Sequence, residues 1–200
     1  MLFKKNRRHF DSEQIDKPKK ISENKEHILN NLFQWFIVIL SGAIFGYALI
    51  TFVFQTVTVV GPSMSPTLKD EEIVIVNKLI YNLDDVKRYD LIAYSLIEED
   101  GYFDIKRVVG MPGEKVTIKD GYVYINDKQL QNSPFNEKII TAGLASETIT
   151  LGDGEYFVLG DNINNSEDSR YSNVGNISEV EILGKVSYII KSDDKKGKVK

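Results

Sequence analysis

Residues 116–125 read VTIKDGYVYI, and this stretch decides the fold class. Apolar and polar side chains alternate on both sides of the central Asp120-Gly121 pair. Alternation with a period of two is typical of a β-strand that buries one face. Because glycine tolerates the positive φ that a two-residue turn requires, Asp-Gly is a strong signal for a tight hairpin. We therefore predict two antiparallel strands here.

Similar runs recur through the rest of the region from residue 57 to residue 190. Segments rich in Val, Ile and Tyr alternate with Gly, Asp, Asn and Pro, which predicts further strands at 57–60, 73–76, 91–94, 102–109, 156–159 and 182–190. Residues 130–150 have no clean period and are interpreted as a loop or a small subdomain. The prediction is a mainly β domain, arranged as a compact barrel or a sandwich.

Composition excludes several kinds of function. With 25 basic and 29 acidic residues the formal net charge is −4, which argues against a nucleic-acid binder. The chain has no cysteine, so it has no disulfide framework, thiol nucleophile or thiolate metal site. Its two histidines, His9 and His27, both lie near the N-terminus, so we expect neither a histidine-based triad nor a zinc site. We predict no metal and no cofactor.

An uncharged apolar segment precedes the β region. Residues 32–54 read LFQWFIVILSGAIFGYALITFVF. At roughly 1.5 Å per residue, a helix of this length crosses a hydrocarbon core of roughly 30 Å. The alternatives are a core helix, which seldom stays apolar on every side, and a cleaved signal, which ends in a small-residue site that is missing here. We predict an uncleaved transmembrane anchor in contact with lipid.

Charges on the two sides of the anchor predict its orientation. Residues 1–31 are interpreted as a flexible basic tail, whereas Lys69 is the first basic residue after the anchor and an acidic cluster follows it. By the positive-inside rule the tail is cytoplasmic, and residues 55–190 form an extracytoplasmic β domain at the cell membrane. Residues 191–200, KSDDKKGKVK, are interpreted as a solvated lysine-rich tail.

The first candidate for chemistry is Ser63, in the stretch VVGPSMSPTL at residues 59–68. Gly61 and Pro62 turn the chain sharply, which can direct the Ser63 hydroxyl and backbone N–H into a cleft. A serine between two prolines is most often a simple turn residue. A catalytic role for Ser63 therefore needs a base.

The second candidate is Lys106, in the stretch DIKRVVGMPG at residues 104–113. Strand alternation sends Lys106 and Arg107 to opposite faces, so we expect one side chain to point inward and the other to stay in solvent. Arginine keeps its proton in proteins, so only the lysine can act as a base. Burial among apolar groups is the known route to a lysine general base. The alternative is a surface lysine whose stem lies along the sheet.

The third candidate stretch is LGDNINNSEDSRY, residues 159–171. Its many small polar residues predict a long loop with internal hydrogen bonds. Its oxygen donors also allow a calcium loop, but their spacing does not fit the EF-hand pattern. We expect Asp168 and Arg170 to pair and pin the loop.

In this order and behind an anchor, the three stretches resemble type I bacterial signal peptidases. The resemblance covers the chain from the anchor to about Arg170, and the stretch RYDLI at residues 88–92 resembles a further structural motif of the family. The motifs that carry it are Ser63-Met64-x-Pro66-Thr67-Leu68, Lys106-Arg107-x-x-Gly110-x-Pro112-Gly113 and Gly160-Asp161-Asn162-x-x-x-Ser166-x-Asp168-Ser169-Arg170.

This resemblance implies a membrane-anchored serine endopeptidase that removes signal peptides from exported preproteins. Ser63 matches the nucleophile and Lys106 the general base. The matched supporting residues are Ser166, which helps to orient the lysine amine, the ion pair Asp168 and Arg170, and Gly160, which leaves room beside the lysine. An extended substrate is expected along residues 57–60 and 103–105 by β-augmentation. Pockets for small side chains are expected at Val59, Met64, Leu68 and Ile105.

Two positions depart from the family pattern. Gly61 stands where many relatives have a hydroxyl residue that assists the oxyanion hole, which leaves the Ser63 N–H as the expected donor and resembles the Gram-positive branch. Ile163 stands where relatives commonly have arginine, so a looser loop is expected. A self-cleaving repressor shares the Gly-x-Ser-Met stretch but is soluble and binds DNA. A catalytically silent, tethered binding domain is expected to lack Ser63 or Lys106.

Overall fold

The computed structural model describes residues 17–95, 102–131, 133–135, 137–192 and 197–199. The chain divides into two units, residues 1–50 and residues 51–200. The first unit is helical in its described part, and the second is built mainly from β-strands. The predicted mainly β domain behind one N-terminal helix is confirmed.

Helix α1 runs from Lys17 to Val53. Its part from His27 to Val53 is long and apolar enough to cross a membrane, with a mean hydropathy of 2.4. Its large apolar side chains, such as Trp35, are exposed, which suits a helix whose surroundings are lipid. Residues 17–31, interpreted from composition as a flexible tail, are helical instead. Pro18 does not prevent this, because it lies in the first turn, where proline is tolerated.

In the described part of the second unit, the regular structure consists mainly of antiparallel strands, with one short α-helix, α2 (Ile80–Leu83), between the second and third strands. The strands are β1 (Phe54–Thr58), β2 (Ile73–Asn77), β3 (Leu91–Tyr94), β4 (Asp104–Gly110), β5 (Lys115–Lys119), β6 (Tyr122–Ile125), β7 (Lys128–Gln129), β8 (Ile149–Thr150), β9 (Glu155–Leu159), β10 (Ile177–Ser178), β11 (Ile182–Lys191) and β12 (Gly197–Lys198). Among the described residues the larger sheet has the order β1-β2-β11-β3-β4-β9-β10, with β12 beside β11, and the smaller sheet has the order β7-β6-β5-β8.

The predicted hairpin is the centre of the smaller sheet. Lys119 pairs with Tyr122, and both turn residues, Asp120 and Gly121, have positive φ (54° and 85°). One face of the hairpin is buried, in agreement with the alternation in the sequence. The buried side chains on this face are those of Val116, Ile118, Val123 and Ile125. This prediction is confirmed.

Several predicted ends differ from those in the structure. Strand β1 ends at Thr58, so Val59 and Val60 lie beyond it, and β4 begins at Asp104 rather than at residue 102. Residues 130–150 contain β8, which pairs with β5 of the smaller sheet, and a 3₁₀ turn at Gly143–Ser146. The predicted solvated tail is wrong at residues 197 and 198, which pair with Ile189 and Tyr188 of β11.

Both faces of β4 are covered by hydrophobic clusters. On one face Val108 packs with Ile92 and Tyr94 of β3. On the other face Ile105 packs in the cluster that holds Met64 and Leu68. Covered on both sides, β4 can hold charged side chains out of water, and this property positions the site described next.

Candidate active site

Ser63 lies in the loop between β1 and β2 and is half-buried. The loop turns at Gly61, whose φ is +78° and whose N–H donates to Asp70 Oδ1 at 2.8 Å. On the other side of Ser63, its carbonyl oxygen accepts a hydrogen bond from the Asn162 N–H at 3.0 Å. The serine is therefore held by its own loop and by the loop that follows β9.

Lys106 lies in the middle of β4, paired with Ile92 of β3. Its side chain is only 2% exposed. The Lys106 Nζ donates a hydrogen bond to Ser63 Oγ at 3.4 Å. The fold thus brings together the two residues for which the sequence predicted a nucleophile and a base, although they are 43 positions apart.

Asp104 is a second neighbour of the Lys106 amine. Its Oδ1 lies 3.2 Å from Nζ, and its side chain is 47% exposed. Asp104 and Lys106 are two positions apart on one strand, so both side chains leave β4 on the same face. Sequence reasoning missed this ion pair, although the spacing in Asp104-Ile105-Lys106 already contained the signal.

Arg107 differs from its prediction. It does leave the opposite face of β4, but it is 6% exposed and not in solvent. Its Nε and Nη2 donate to the two carboxylate oxygens of Asp161, each at 2.6 Å, and Nη1 donates to the Tyr89 carbonyl at 2.8 Å. Asp161 also accepts a hydrogen bond from the Thr67 hydroxyl. This network, which sequence reasoning missed, ties the serine loop to β4.

The structure pairs Asp168 with Arg170. Nε of the arginine lies 2.7 Å from Oδ1 and Nη2 lies 2.9 Å from Oδ2, and both side chains are fully buried. The second carboxylate oxygen also accepts from the Gly160 N–H at 3.1 Å. Arg170 donates further to the carbonyls of Thr141 and Ile163. The pair therefore fixes the loop after β9 from within.

Gly160 and Ser166 are packed against each other under the cleft. A Cβ at Gly160 would lie 2.6 Å from the Ser63 carbonyl oxygen and 2.6 Å from Ser166 Cβ, so no larger residue fits without a shift. The Ser166 hydroxyl makes a 3.5 Å contact with the Glu167 carbonyl. Among the described residues it makes no hydrogen bond to Lys106, whose amine contacts Asp104 instead. A role for Ser166 in orienting the amine stays a prediction.

The departure at Ile163 places an apolar side chain in the loop after β9. Ile163 is buried in the cluster that includes Phe157 and Leu159, and its carbonyl accepts from Arg170 Nη2 at 2.5 Å. An apolar side chain is anchored here by packing rather than by charge. The looser loop expected from this departure stays a prediction.

The four predicted pocket residues, Val59, Met64, Leu68 and Ile105, lie together in one hydrophobic cluster. All four are almost completely buried. The open cleft beside them is lined by other residues, which are Val60, Gly61, Pro62, Ser63, Asp104, Lys106, Asn164, Asn165, Ser166, Glu167 and Tyr171. A second groove lies between the edge strand β1 and Tyr102-Phe103.

Tyr94 of β3 is fully buried near the carboxylates of Asp104 and Asp168. Burial, with a smaller contribution from the carboxylates of Asp104 and Asp168, raises the pKa of the Tyr94 phenol above its ordinary value. The Tyr94 hydroxyl has no hydrogen-bond partner in the part of the chain that the structure describes. In the same part there is also no group of three or more His, Cys, Asp or Glu side chains that could hold a metal.

Comparison with known proteins identifies the family. The family described as "Signal peptidase, peptidase S26" matches residues 32–191. The chain belongs to this signal peptidase family. Signal peptidase I of Bacillus caldolyticus is 33% identical over 165 residues, which cover 77% of this chain and 86% of the relative. Signal peptidase IB of Staphylococcus aureus is 34% identical over 173 residues, which cover 78% and 88%.

A crystal structure of signal peptidase I from Enterococcus faecalis is also similar, with 31% identity and a TM-score of 0.41, covering 52% of this chain and 98% of that one. The predicted family, a type I signal peptidase similar to Gram-positive members, is confirmed. As a signal peptidase, the chain is a serine peptidase that cleaves signal peptides from preproteins. Its apolar N-terminal helix is consistent with the membrane anchoring of these enzymes.

Proposed function

We propose that this signal peptidase cuts preproteins with Ser63 as nucleophile and Lys106 as general base. The observation that carries the proposal is the 3.4 Å approach of Lys106 Nζ to Ser63 Oγ in an open cleft. Reacting groups at hydrogen-bond reach are the geometric condition for an activated nucleophile. The two histidines lie outside the unit that carries the cleft, so the Lys106 amine is the proposed base.

The reaction uses the amine twice. Uncharged Lys106 accepts the Ser63 hydroxyl proton while Oγ attacks the scissile carbonyl carbon, and the ammonium then gives a proton to the leaving amine of the mature protein. The signal peptide stays bound to Oγ as an ester. Lys106 next takes a proton from water, whose oxygen attacks the ester carbonyl, and returns a proton to Oγ as the acid is released.

Lys106 is held in the dyad by a covered strand. Its side chain is 2% exposed, and its backbone pairs with Ile92 of β3, which is fully buried. The negative charge that develops on the attacked carbonyl oxygen needs a donor. The Ser63 backbone N–H makes no hydrogen bond within the described residues and is the proposed donor, since Gly61 has no hydroxyl.

The substrate is proposed to bind as an extended strand. Strand β1 is the edge of the larger sheet, and the groove beside it is lined by Gln55 to Thr58 and by Tyr102 and Phe103. An edge strand offers main-chain groups that pair with any extended peptide, whatever its sequence. The buried cluster of Val59, Met64, Leu68 and Ile105 lies beside the cleft and is proposed to restrict the preprotein to small side chains near the cut.

The proposed topology has the N-terminus in the cytoplasm and the β unit outside, with α1 in the lipid. Support comes from Lys25 and the other basic residues before the apolar span, and from the acidic cluster after Lys69. A catalytic unit that follows the span directly is close to the membrane surface, where the cleavage site of a preprotein emerges. Neither nucleic acid nor metal has a part in this proposal.

Preprotein cleavage by the full chain in detergent tests the dyad. We expect Ser63→Ala, Lys106→Ala and Lys106→Arg each to lower kcat by at least about a thousandfold, because each removes the nucleophile or the base. The matched control is Ser65→Ala, in the same loop, which should keep cleavage within a few fold. The wild-type rate should rise with pH as the amine loses its proton. Substantial cleavage by Lys106→Arg would contradict an uncharged lysine base.

A further inference from the structure

The Lys106 amine has two polar neighbours, and their roles require different protonation states of the amine. It lies 3.4 Å from Ser63 Oγ and 3.2 Å from Asp104 Oδ1. A base must be uncharged to take the serine proton, whereas a carboxylate at ion-pair distance favours the ammonium. Asp104 is half-exposed in the cleft, so water weakens this attraction without removing it.

Other charged and titratable groups near the amine are engaged elsewhere or stand farther off. Asp168, in the loop after β9, is bound to Arg170, and Tyr94 of β3 keeps its proton because burial raises its pKa. Glu167 and Tyr171 line the same cleft from that loop and are exposed, and neither pairs with Lys106 among the described residues. Asp104 is therefore the carboxylate that acts directly on the amine.

The same contact also orients the amine. An uncharged amine keeps two N–H donors and one lone pair. If one N–H donates to Asp104, rotation about the last bond of the lysine is restricted, and the lone pair can face Ser63 Oγ. The i, i+2 spacing on a rigid strand fixes this geometry, because both side chains leave the same face of β4.

We propose that Asp104 is a positioning residue for this peptidase: its carboxylate holds Lys106 Nζ beside Ser63 and sets the pH at which the dyad becomes active. This inference rests on the proposed dyad. Among the described residues Asp104 makes no hydrogen bond to Ser63, and in this proposal it acts through Lys106. Its charge delays activity on the acidic side, and its hydrogen-bond acceptor orients the amine once the proton has left.

The test is the pH dependence of kcat and KM for preprotein cleavage by the full chain in detergent. Asp104→Asn removes the charge but keeps an acceptor oxygen, so we expect the rise in kcat to move down by about one pH unit, with a plateau within about twofold of wild type. On the acidic limb this is a gain of about tenfold. In Asp104→Ala the rise in kcat should move down by the same amount. Its kcat at the plateau should fall several-fold, with little change in KM.

Glu167→Gln is the matched control, because it removes a carboxylate from the same cleft that makes no ion pair with Lys106. Its rise in kcat should move by less than about a third of a pH unit. The proposal is overturned if Asp104→Asn leaves the profile in place or moves it upward, or if Glu167→Gln shifts it as far. It is also overturned if Asp104→Asn and Asp104→Ala have the same plateau.

A second measurement does not depend on catalysis. In Ser63→Ala protein with isotope-labelled lysine, the NMR signal of Lys106 can be assigned by its loss in Lys106→Arg and followed against pH. We expect its midpoint to be lower when Asp104→Asn is added, and an unchanged midpoint would overturn the ion pair. Full cleavage activity in Ser63→Ala would instead refute the proposed dyad, so the two failures are distinguishable.

Discussion

Lys106 and Arg107 are adjacent basic residues that meet very different partners. Their opposite directions follow from the geometry of a strand and were predictable from the sequence. The burial of Arg107 was not, because Asp161, which neutralises it, lies in a loop that the fold brings across from the end of β9. A buried arginine needs such a partner, since an unpaired buried charge is costly.

At the same scale, Gly160→Ala tests how tightly the site is packed. The added Cβ would lie 2.6 Å from the Ser63 carbonyl oxygen, so the serine loop must move. We expect kcat to fall by about a hundredfold, since misplacing a reacting group by about 1 Å has this effect. Unfolding in urea should show a loss of about 1–3 kcal/mol from overpacking.

The matched control for this change is Gly152→Ala. The three atoms nearest to its Cβ would all belong to the Glu155 side chain, at 3.3 Å and beyond, and none to the backbone. Both kcat and stability should stay close to wild type. Equal activity of the two alanine variants would show that the space beside Gly160 is not needed for catalysis.

Among the elements, the hairpin of β5 and β6 was the easiest to predict. Its alternation and its Asp-Gly turn are both local signals, and the structure has the expected register. The ends of the strands were harder to predict from the sequence. The end of β1 at Thr58 and the pairing of β12 with β11 depend on neighbours that no local pattern specifies. The loop after β9 likewise takes its shape from Arg170, which binds carbonyls on two separate segments.

Gly121→Ala tests the turn of this hairpin. Gly121 has a φ of +85°, and a Cβ there would lie 3.0 Å from Lys138 Cβ and 3.3 Å from the Ile139 carbonyl oxygen. We expect the free energy of unfolding to fall by about 1–2 kcal/mol, from strain and crowding together. Cleavage at a temperature well below the midpoint should be nearly unchanged, because the turn contributes no residue to the lining of the cleft.

Gly113→Ala separates the effect of backbone strain from the effect of crowding. Gly113 also has a positive φ, of +77°, but a Cβ there meets nothing within 4 Å. Its loss of stability should be smaller than that of Gly121→Ala, because only the backbone strain remains. Equal losses in thermal or urea unfolding would mean that crowding at Gly121 contributes nothing.

For the whole molecule, the two units have different surroundings. Helix α1 exposes apolar side chains along its span, whereas in the described part of the β unit the buried apolar residues form three clusters. Exposed apolar area of this extent is stable only in lipid or against a partner. The apolar composition of residues 32–54 already indicated this, since it is uncharged over its full length.

The lack of cysteine makes the proposed topology directly measurable. In Asp153→Cys the thiol would lie in an exposed turn of the β unit, and in Lys25→Cys before the apolar span. A membrane-impermeant maleimide should label Asp153→Cys in intact cells and Lys25→Cys only after permeabilisation. The wild-type chain, with no thiol, gives the background. The reverse pattern would contradict the positive-inside orientation.

The sequence by itself determined the apolar span, the β character of the rest and the residue types available for chemistry. These depend on local composition and on a period of two, which a chain carries without reference to its partners. The tertiary structure decided which polar groups meet: Ser63 with Lys106, Lys106 with Asp104, and Arg107 with Asp161. Two of these pairs join distant segments, and buried charges are stable only where packing supplies the opposite charge, so no local signal could have assigned those two.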